Sequence, residues 1–429
     1  MSNIDLGKAG SMPMTIAEKI LARASGKSSV KPGEYITAKI DKFMCHEALA
    51  AVYLNLAVAG ITSIPHPEKV YVILDHYVPA PTQRAASIHQ FVRSAVEKLG
   101  ITHYYGERAG IAHQVMMEKG HVMPGDLIVG TDSHTCTYGA LGAAAAGIGI
   151  SEMTYAMATG ELWFRIPETI RFILSGEMKH RVTSKDVILK IAGDYTSEVA
   201  QYKSVEFSGP AAGAMSIDSR MTVSNMSVEI GAKFGMFEFD DKAAAYLQPF
   251  PAGNTRGIAA DENALYENVY EIDVSRVEPQ VAMPHSVDNV RPVSQVNDVT
   301  IDQAVLGSCT NGRLEDLELA ASILKGKRVH DRVRMLIIPA SWHIYQMAID
   351  NGTLSTLIGA GCIVLNPGCG PCFGAYGGLL ADGERCISST NRNFKGRMGS
   401  GRAEVYLASP ATVAASAVKG RITDPREIS

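Results

Sequence analysis

The sequence predicts an α/β protein of about three domains, with parallel or mixed sheets flanked by helices. Two observations predict it. The chain has 429 residues, more than the ~100–200 that one domain usually holds. A single grammar also recurs along it: an apolar run of strand length, a polar or glycine-rich turn, then a helical period.

The elements follow in order. Thr15-Ile16-Ala17-Glu18 is a capping box that opens a short helix, and Gly26 ends it. Val70–Leu74 is an apolar strand running into Asp75-His76. Leu127–Val129 runs into Gly130-Thr131-Asp132-Ser133-His134, and the small residues of Gly139–Ile150 predict a tightly packed helix and its turn. A boundary falls near Pro167, where strand-like Thr169–Leu174 begins. Val277–Val296 carries three prolines and no clear period, and so predicts a linker. Ala304–Leu306 runs into Gly307-Ser308-Cys309-Thr310-Asn311-Gly312-Arg313, with a helix expected over Leu314–Leu324. Ile363–Leu365 runs into Asn366-Pro367-Gly368-Cys369-Gly370-Pro371-Cys372. Cys386-Ile387-Ser388 runs into Asn391-Arg392-Asn393-Phe394-Lys395-Gly396-Arg397. The expected division is 1–168, 169–285 and 286–429. Each polar motif follows its strand, which is where open α/β sheets bind ligands.

Composition narrows the class. Hydrophobic residues are 46% and charged residues 20%, ordinary globular usage that excludes a disordered tail, a collagen-like chain or a coiled coil. Forty basic against 44 acidic residues leave a net charge of −4, so nothing general draws this surface to nucleic acid or anionic lipid. No apolar stretch reaches the roughly 18–20 residues of a membrane helix. The first residues, Met1 to Met14, lack the basic-then-apolar pattern of a signal peptide. A cytoplasmic enzyme is the expectation.

Seven cysteines, odd in number and irregular in spacing, argue against a disulfide framework. Cys362 and Cys386 sit in apolar runs and read as small buried hydrophobes. Cys309, Cys369 and Cys372 lie instead in glycine- and proline-rich turns, a set that suits a soft metal or an iron–sulfur cluster. A structural zinc site would want a fourth ligand. A thiol redox pair of the Cys-Gly-Pro-Cys type would leave Cys309 unexplained.

Asp75-His76 joins a carboxylate to an imidazole that titrates near neutral pH, either a structural pair or an acid–base one. Asn225 and Glu229 are four apart and share one face if the segment is helical; a solvent-facing pair is the alternative. Asn391–Arg402 carries Arg392, Lys395, Arg397 and Arg402 with no acidic residue. Such a run is a solvated basic turn or a bidentate carboxylate binder. An RNA-binding role would need stacking aromatics, which are only 7% of the chain.

The four motifs around Asp132, Cys309, Cys369 and Arg392 together resemble the aconitase superfamily, nearest to its branch of 3-isopropylmalate dehydratase large subunits. The likeness runs from about Met14 onward. It implies three α/β domains around a [4Fe-4S] cluster held by Cys309, Cys369 and Cys372. It also implies a hydro-lyase that isomerises a hydroxy di- or tricarboxylate, with 3-isopropylmalate in leucine biosynthesis preferred. Homoaconitate and methylmalate or citraconate stay open as substrates. An iron without a protein ligand would act as a Lewis acid. By resemblance His76 is the general acid and Asp75 its orienting partner. Asp132 and His134 hydrogen-bond around the open iron and its water, Ser133 meets a substrate carboxylate, and His113 is a further active-site histidine. Asn225, Glu229 and Asn391 lie near the cluster, while Arg392 and Arg397 bind carboxylates. His46 falls where aconitases have glutamine and the isopropylmalate branch has histidine. The following Glu47-Ala48-Leu49 departs from the Asp-Gly-Thr expected there. Single-chain aconitases continue into a further domain that supplies the base for the carbon-bound proton. A separate small subunit is therefore the expected partner, in a heterodimer or heterotetramer, with neither nucleic acid nor membrane involved.

Overall fold

The computed structural model describes residues 12–250, 257–296 and 298–428. The leader expectation therefore rests largely on residues 1–11, outside the described ones. Among the described residues no helix is long and apolar enough to cross a membrane.

Among the described residues, four sheets organise the fold. The first is parallel throughout, in the order His103–Tyr105, Val70–Ile73, Lys42–Cys45, Leu127–Gly130, Ala144–Gly147. Val70–Ile73 and Leu127–Gly130 are buried at every position. A strand covered on both faces needs such an unbroken apolar run. A second parallel sheet places Phe234–Phe237, Ser204–Ser208, Thr169–Ser175 and Asn268–Asp273 side by side. The largest runs Val290–Pro292, Gln280–Ala282, Glu404–Ala408, Arg385–Ser388, Gln303–Gly307, Arg334–Ile338, Ile363–Val364. Tyr35–Lys39 and Glu161–Arg165 form an antiparallel ribbon. The α/β class with parallel and mixed sheets is thus the observed one.

Local chemistry explains the helix ends. Thr15 Oγ1 accepts the Glu18 N–H, the Glu18 carboxylate accepts the Thr15 N–H, and Gly26 closes the helix Ile16–Ser25 at φ 71°. The left-handed turn at that position suits glycine, which has no Cβ to clash. The helix Leu314–Leu324 has the predicted bounds, and the Asp316 carboxylate accepts the Arg313 N–H at 3.0 Å at its start.

Three segments differ from expectation. Gly139–Ile150 is not a helix and its turn: a 3₁₀ helix over Ser133–Leu141 gives way to the strand Ala144–Gly147. A Cβ on Gly139 would lie 1.9 Å from the Gly235 carbonyl oxygen, so small residues serve close packing there rather than helix propensity. The expected linker is partly strand: Gln280–Ala282 pairs antiparallel with both Glu404–Ala408 and Val290–Pro292. Pro292 ends an edge strand, where a missing N–H costs no ladder bond. The largest sheet thereby reaches upstream of residue 286. Asn225 ends the helix Ile217–Met226, while Glu229 lies in the tighter 3₁₀ turn Ser227–Ile230. They share no continuous α-helical face, yet both are buried.

Candidate active site

The site forms where strand ends and the turns after them meet. Asp75 and His76 follow the strand Val70–Ile73. His76 Nδ1 lies 2.6 Å from Asp75 Oδ1, and Asp75 Oδ2 accepts the Ala112 N–H at 2.8 Å. Both Asp75 oxygens are therefore engaged and the imidazole is aimed by the carboxylate. His76 Nε2 lies 3.4 Å from Asp132 Oδ2. Burial disfavours the imidazolium, but interactions with Cys369, Asp75 and Asp132 outweigh it and raise the His76 pKa well above its usual value.

Two further carboxylate–imidazole pairs stand beside the first. Asp132 caps the 3₁₀ helix by accepting the His134 N–H at 2.7 Å, and its Oδ1 is 2.9 Å from His113 Nε2. Burial works to raise the Asp132 carboxyl; contacts from His113, His134 and His76 overcome it and hold the group well below the carboxylate range. His134 Nε2 bonds Glu229 Oε1 at 2.7 Å. Arg392 Nε sits 2.8 Å from the same oxygen as an ion-pair contact, although its N–H finds no well-aligned acceptor. Burial pushes the Glu229 carboxyl up, while His134 and Arg392 bring it below its ordinary value. Three histidines and three carboxylates thus form one connected set, in which Asp132 meets His76, His113 and His134.

Asn391 links Cys309 to Cys372, and Asn225 also meets Cys309. Asn225 Nδ2 and Asn391 Nδ2 both donate to Cys309 Sγ at 3.3 Å, and Cys372 Sγ donates to Asn391 Oδ1 at 3.5 Å. Thr310 Oγ1 donates to Asn225 Oδ1 at 3.0 Å, which fixes the orientation of that amide. The Cys369 N–H donates to the Asp75 carbonyl at 3.0 Å, so the Cys-Gly-Pro-Cys turn is tied to the His76 strand end. Burial pushes the Cys309 thiol up to about 12 and the Cys369 thiol well above its usual value. Cys362 and Cys386 are buried, the small-hydrophobe role expected of them.

A cavity of about 520 Å³ opens over these groups. His46, Glu47, His76, Thr131, Asp132, Ser133, Arg392 and Arg397 line it together with Ala48, Ala50, Ala51, Tyr77, Ile88 and Phe373. Phe373 stands edge-on to His76, with ring centroids 4.9 Å apart, and Arg397 lies over the Phe373 ring. Of the remaining expected residues, Asp75, His113, His134, Glu229, Asn225 and Asn391 are buried behind this surface.

Three buried groups had no role in the sequence expectations. Arg313 donates to the Cys309 and Thr310 carbonyls, each at 2.7 Å; its place in the Gly307–Arg313 motif was the available signal. Lys185 donates to the Ser389 and Thr390 carbonyls at 2.8 and 2.6 Å, fixing the approach to Asn391. Nothing in its helical stretch marks it. Glu47 was noted only as a departure from a pattern, and it contacts His76 directly.

Residues 18–420 match the sequence profile of the aconitase family (aconitate hydratase). A protein named probable 3-isopropylmalate dehydratase large subunit, from Methanothermobacter thermautotrophicus, is 50% identical over 415 residues, 96% of this chain and 99% of its own length. The 3-isopropylmalate dehydratase large subunit 1 of Methanopyrus kandleri is 48% identical, over 97% and 99% of the two chains. The counterpart from Aquifex aeolicus is 47% identical, over 97% and 98%. Among solved structures, the holo-form of Thermococcus kodakaraensis aconitase X aligns with a TM-score of 0.51 at 12% identity. That alignment covers 87% of this chain and 88% of the other, a likeness of fold.

Proposed function

This chain belongs to the aconitase family, and we propose that it is the cluster-bearing large subunit of a hydro-lyase interconverting 3- and 2-isopropylmalate by dehydration and rehydration. One observation carries this: Asn391 bonds both Cys309 and Cys372, while the next residue, Arg392, lines the cavity with His76. Thiols, acid–base pairs and a carboxylate-binding cation are thereby brought to one place. The names of the relatives support the substrate and the separate small subunit. The partner would complete a heterodimer or heterotetramer, and the cytoplasm is the proposed location. The proposed domains are 1–168, 169–285 and 286–429.

The donor set fits a [4Fe-4S] cluster. Cys309, Cys369 and Cys372 would hold it; burial raises the Cys309 thiol, a bound cation would favour its thiolate, and two amide N–H groups already point at its sulfur. When bound, the cluster supplies a Lewis acid at the iron that these cysteines leave free.

The chain's own residues supply the rest. His76, its Nδ1 held by Asp75, presents Nε2 to the cavity and protonates the departing hydroxyl. Asp132 and His134, braced by His113 and Glu229, order the water that leaves and returns. Arg392, Arg397 and Ser133 bind the substrate carboxylates, for which arginine's planar fork is suited. Ala48, Ala50, Ala51 and Ile88 offer an apolar wall beside Glu47, which favours a substrate with an aliphatic substituent over a third carboxylate. The carbon-bound proton goes to a base on the small subunit.

The test is anaerobic purification, mixing with the small subunit, and a substrate panel. Brown protein with near-stoichiometric iron and sulfide, hydrating isopropylmaleate faster than homoaconitate or citraconate, is the expected result. Colourless protein holding only zinc, or disulfide reductase activity from this chain alone, would overturn it.

A further inference from the structure

We propose that Glu47 is a positioning residue that clamps the backbone at His76 and so sets where the imidazole sits. Glu47 follows His46 in the stretch that departs from the family pattern, and its side chain is only 4% exposed. Its Oε1 accepts the backbone N–H groups of His76 and Tyr77, each at 3.0 Å. Those two N–H groups belong to a turn between a strand end and the cavity, where no ladder partner exists for them. From the opposite side the same turn is held by the Cys369 N–H on the Asp75 carbonyl. The backbone at His76 is thus gripped from two sides, and Asp75 aligns the ring.

The second oxygen of Glu47 does something different. Oε2 has no hydrogen-bond partner, although it is 3.6 Å from His46 Nδ1 and 3.9 Å from His76 Nδ1. Both nitrogens are engaged elsewhere: His46 Nδ1 accepts the Ala48 N–H at 3.2 Å, and His76 Nδ1 bonds Asp75. The His46 and His76 rings stack beside it at 4.3 Å with 26° between their planes. Behind the carboxylate, His89 Nε2 is 3.5 Å from Oε1, also without a hydrogen bond. The acceptance of two N–H groups by Oε1 is therefore the bonded work of this side chain. Removing it leaves the buried His76 N–H and the part-buried Tyr77 N–H without their acceptor. The turn relaxes instead, and a displacement near 1 Å at a reacting group costs about 100-fold in rate.

The inference rests on the function proposed above. The experiment uses the cluster-loaded complex with its small subunit and isopropylmaleate as substrate. In E47A, kcat falls about 100-fold, while KM stays within about threefold and cluster absorbance and subunit assembly are unchanged. E47Q keeps an oxygen for both N–H groups and recovers kcat to within about tenfold of the parent. E47D, one methylene shorter, does not recover it. E47A with kcat within about threefold of the parent, or E47Q as slow as E47A, would overturn the clamp. If E47A does not fold, folded E47D as active as the parent does the same. Amide exchange supplies a readout free of turnover: the His76–Tyr77 peptide exchanges faster in E47A or E47D and not in E47Q. An inactive parent complex with that exchange pattern intact would sink the proposed function and leave the clamp standing.

Discussion

The N–H of Cys369 donates to the carbonyl oxygen of Asp75 at 3.0 Å. One backbone hydrogen bond thus joins a proposed cluster ligand to the residue whose carboxylate aims the proposed acid. Asn366 Nδ2 adds a second tie, to the Val78 carbonyl at 2.7 Å. Asn366 and Val78 are 288 residues apart in sequence, yet these bonds tie the cysteine turn to the histidine turn. Geometry at the thiols and geometry at His76 are set together.

Replacing Asp75 by asparagine tests the acid. Asparagine keeps the shape and the bond from the Ala112 N–H, but its amide no longer balances a charged imidazole. General acid catalysis is worth about 10²–10⁴ in rate, so kcat in steady-state assays of the complex should fall within that range. KM should change by no more than about threefold. A defect confined to KM would remove Asp75 from the acid chemistry.

Asn391→Ala deletes the donor to Cys309 and the acceptor for Cys372 together. Groups behind a metal ligand typically contribute about 10–100-fold in metal affinity. The purified variant should lose iron and sulfide faster than the parent on exposure to a chelator, by a similar factor. Unchanged iron retention would mean that the asparagine packs beside the thiols without supporting them.

Much of this was legible beforehand, for a physical reason. Strand ends in parallel sheets carry chemistry on consecutive residues, so Asp75-His76, Asp132–His134, Cys369–Cys372 and Asn391–Arg397 appear as motifs in the bare chain. What escaped notice acts across the fold. Glu47 meets His76 only because Lys42–Cys45 and Val70–Ile73 are neighbouring strands. Lys185 reaches Ser389 from a helix with an otherwise ordinary amphipathic pattern. The Ala144–Gly147 strand was hidden by its composition: pairing with Leu127–Gly130 outweighs the helical preference of alanine.

Arg397→Lys tests carboxylate binding. Arg397 lines the cavity over the Phe373 ring, and its Nε is buried without a hydrogen-bond partner. Lysine keeps the charge but cannot form the two parallel bonds of a guanidinium. Hydrogen bonds to charged groups contribute about 1.5–3 kcal/mol, so KM should rise roughly 10- to 100-fold with kcat much less affected. A lysine variant with the parent's KM would show that the substrate carboxylate lies elsewhere.

Stability should fall on the acid side, in part through His121, away from the cavity. His121 packs on Tyr71 at 4.6 Å, beside His103, and bonds the Tyr105 hydroxyl. Burial is the main force that pushes its pKa down to about 4, with His103, Lys42 and Lys119 adding positive charge nearby. The folded protein therefore keeps this ring neutral, whereas the unfolded chain binds a proton near pH 6.5. Between those values the unfolded state holds more protons, so stability rises with pH across the window. The contribution is complete above about pH 6.5 and is lost as the pH falls toward 4. His121→Phe keeps a ring against Tyr71 and removes the titration. Thermal unfolding measured from pH 7 to 4.5 should show a smaller drop in Tm for the variant, even if its Tm at neutral pH is lower. Parallel curves for the two proteins would mean that His121 is already protonated in the fold, or that its neighbours move to accommodate the charge.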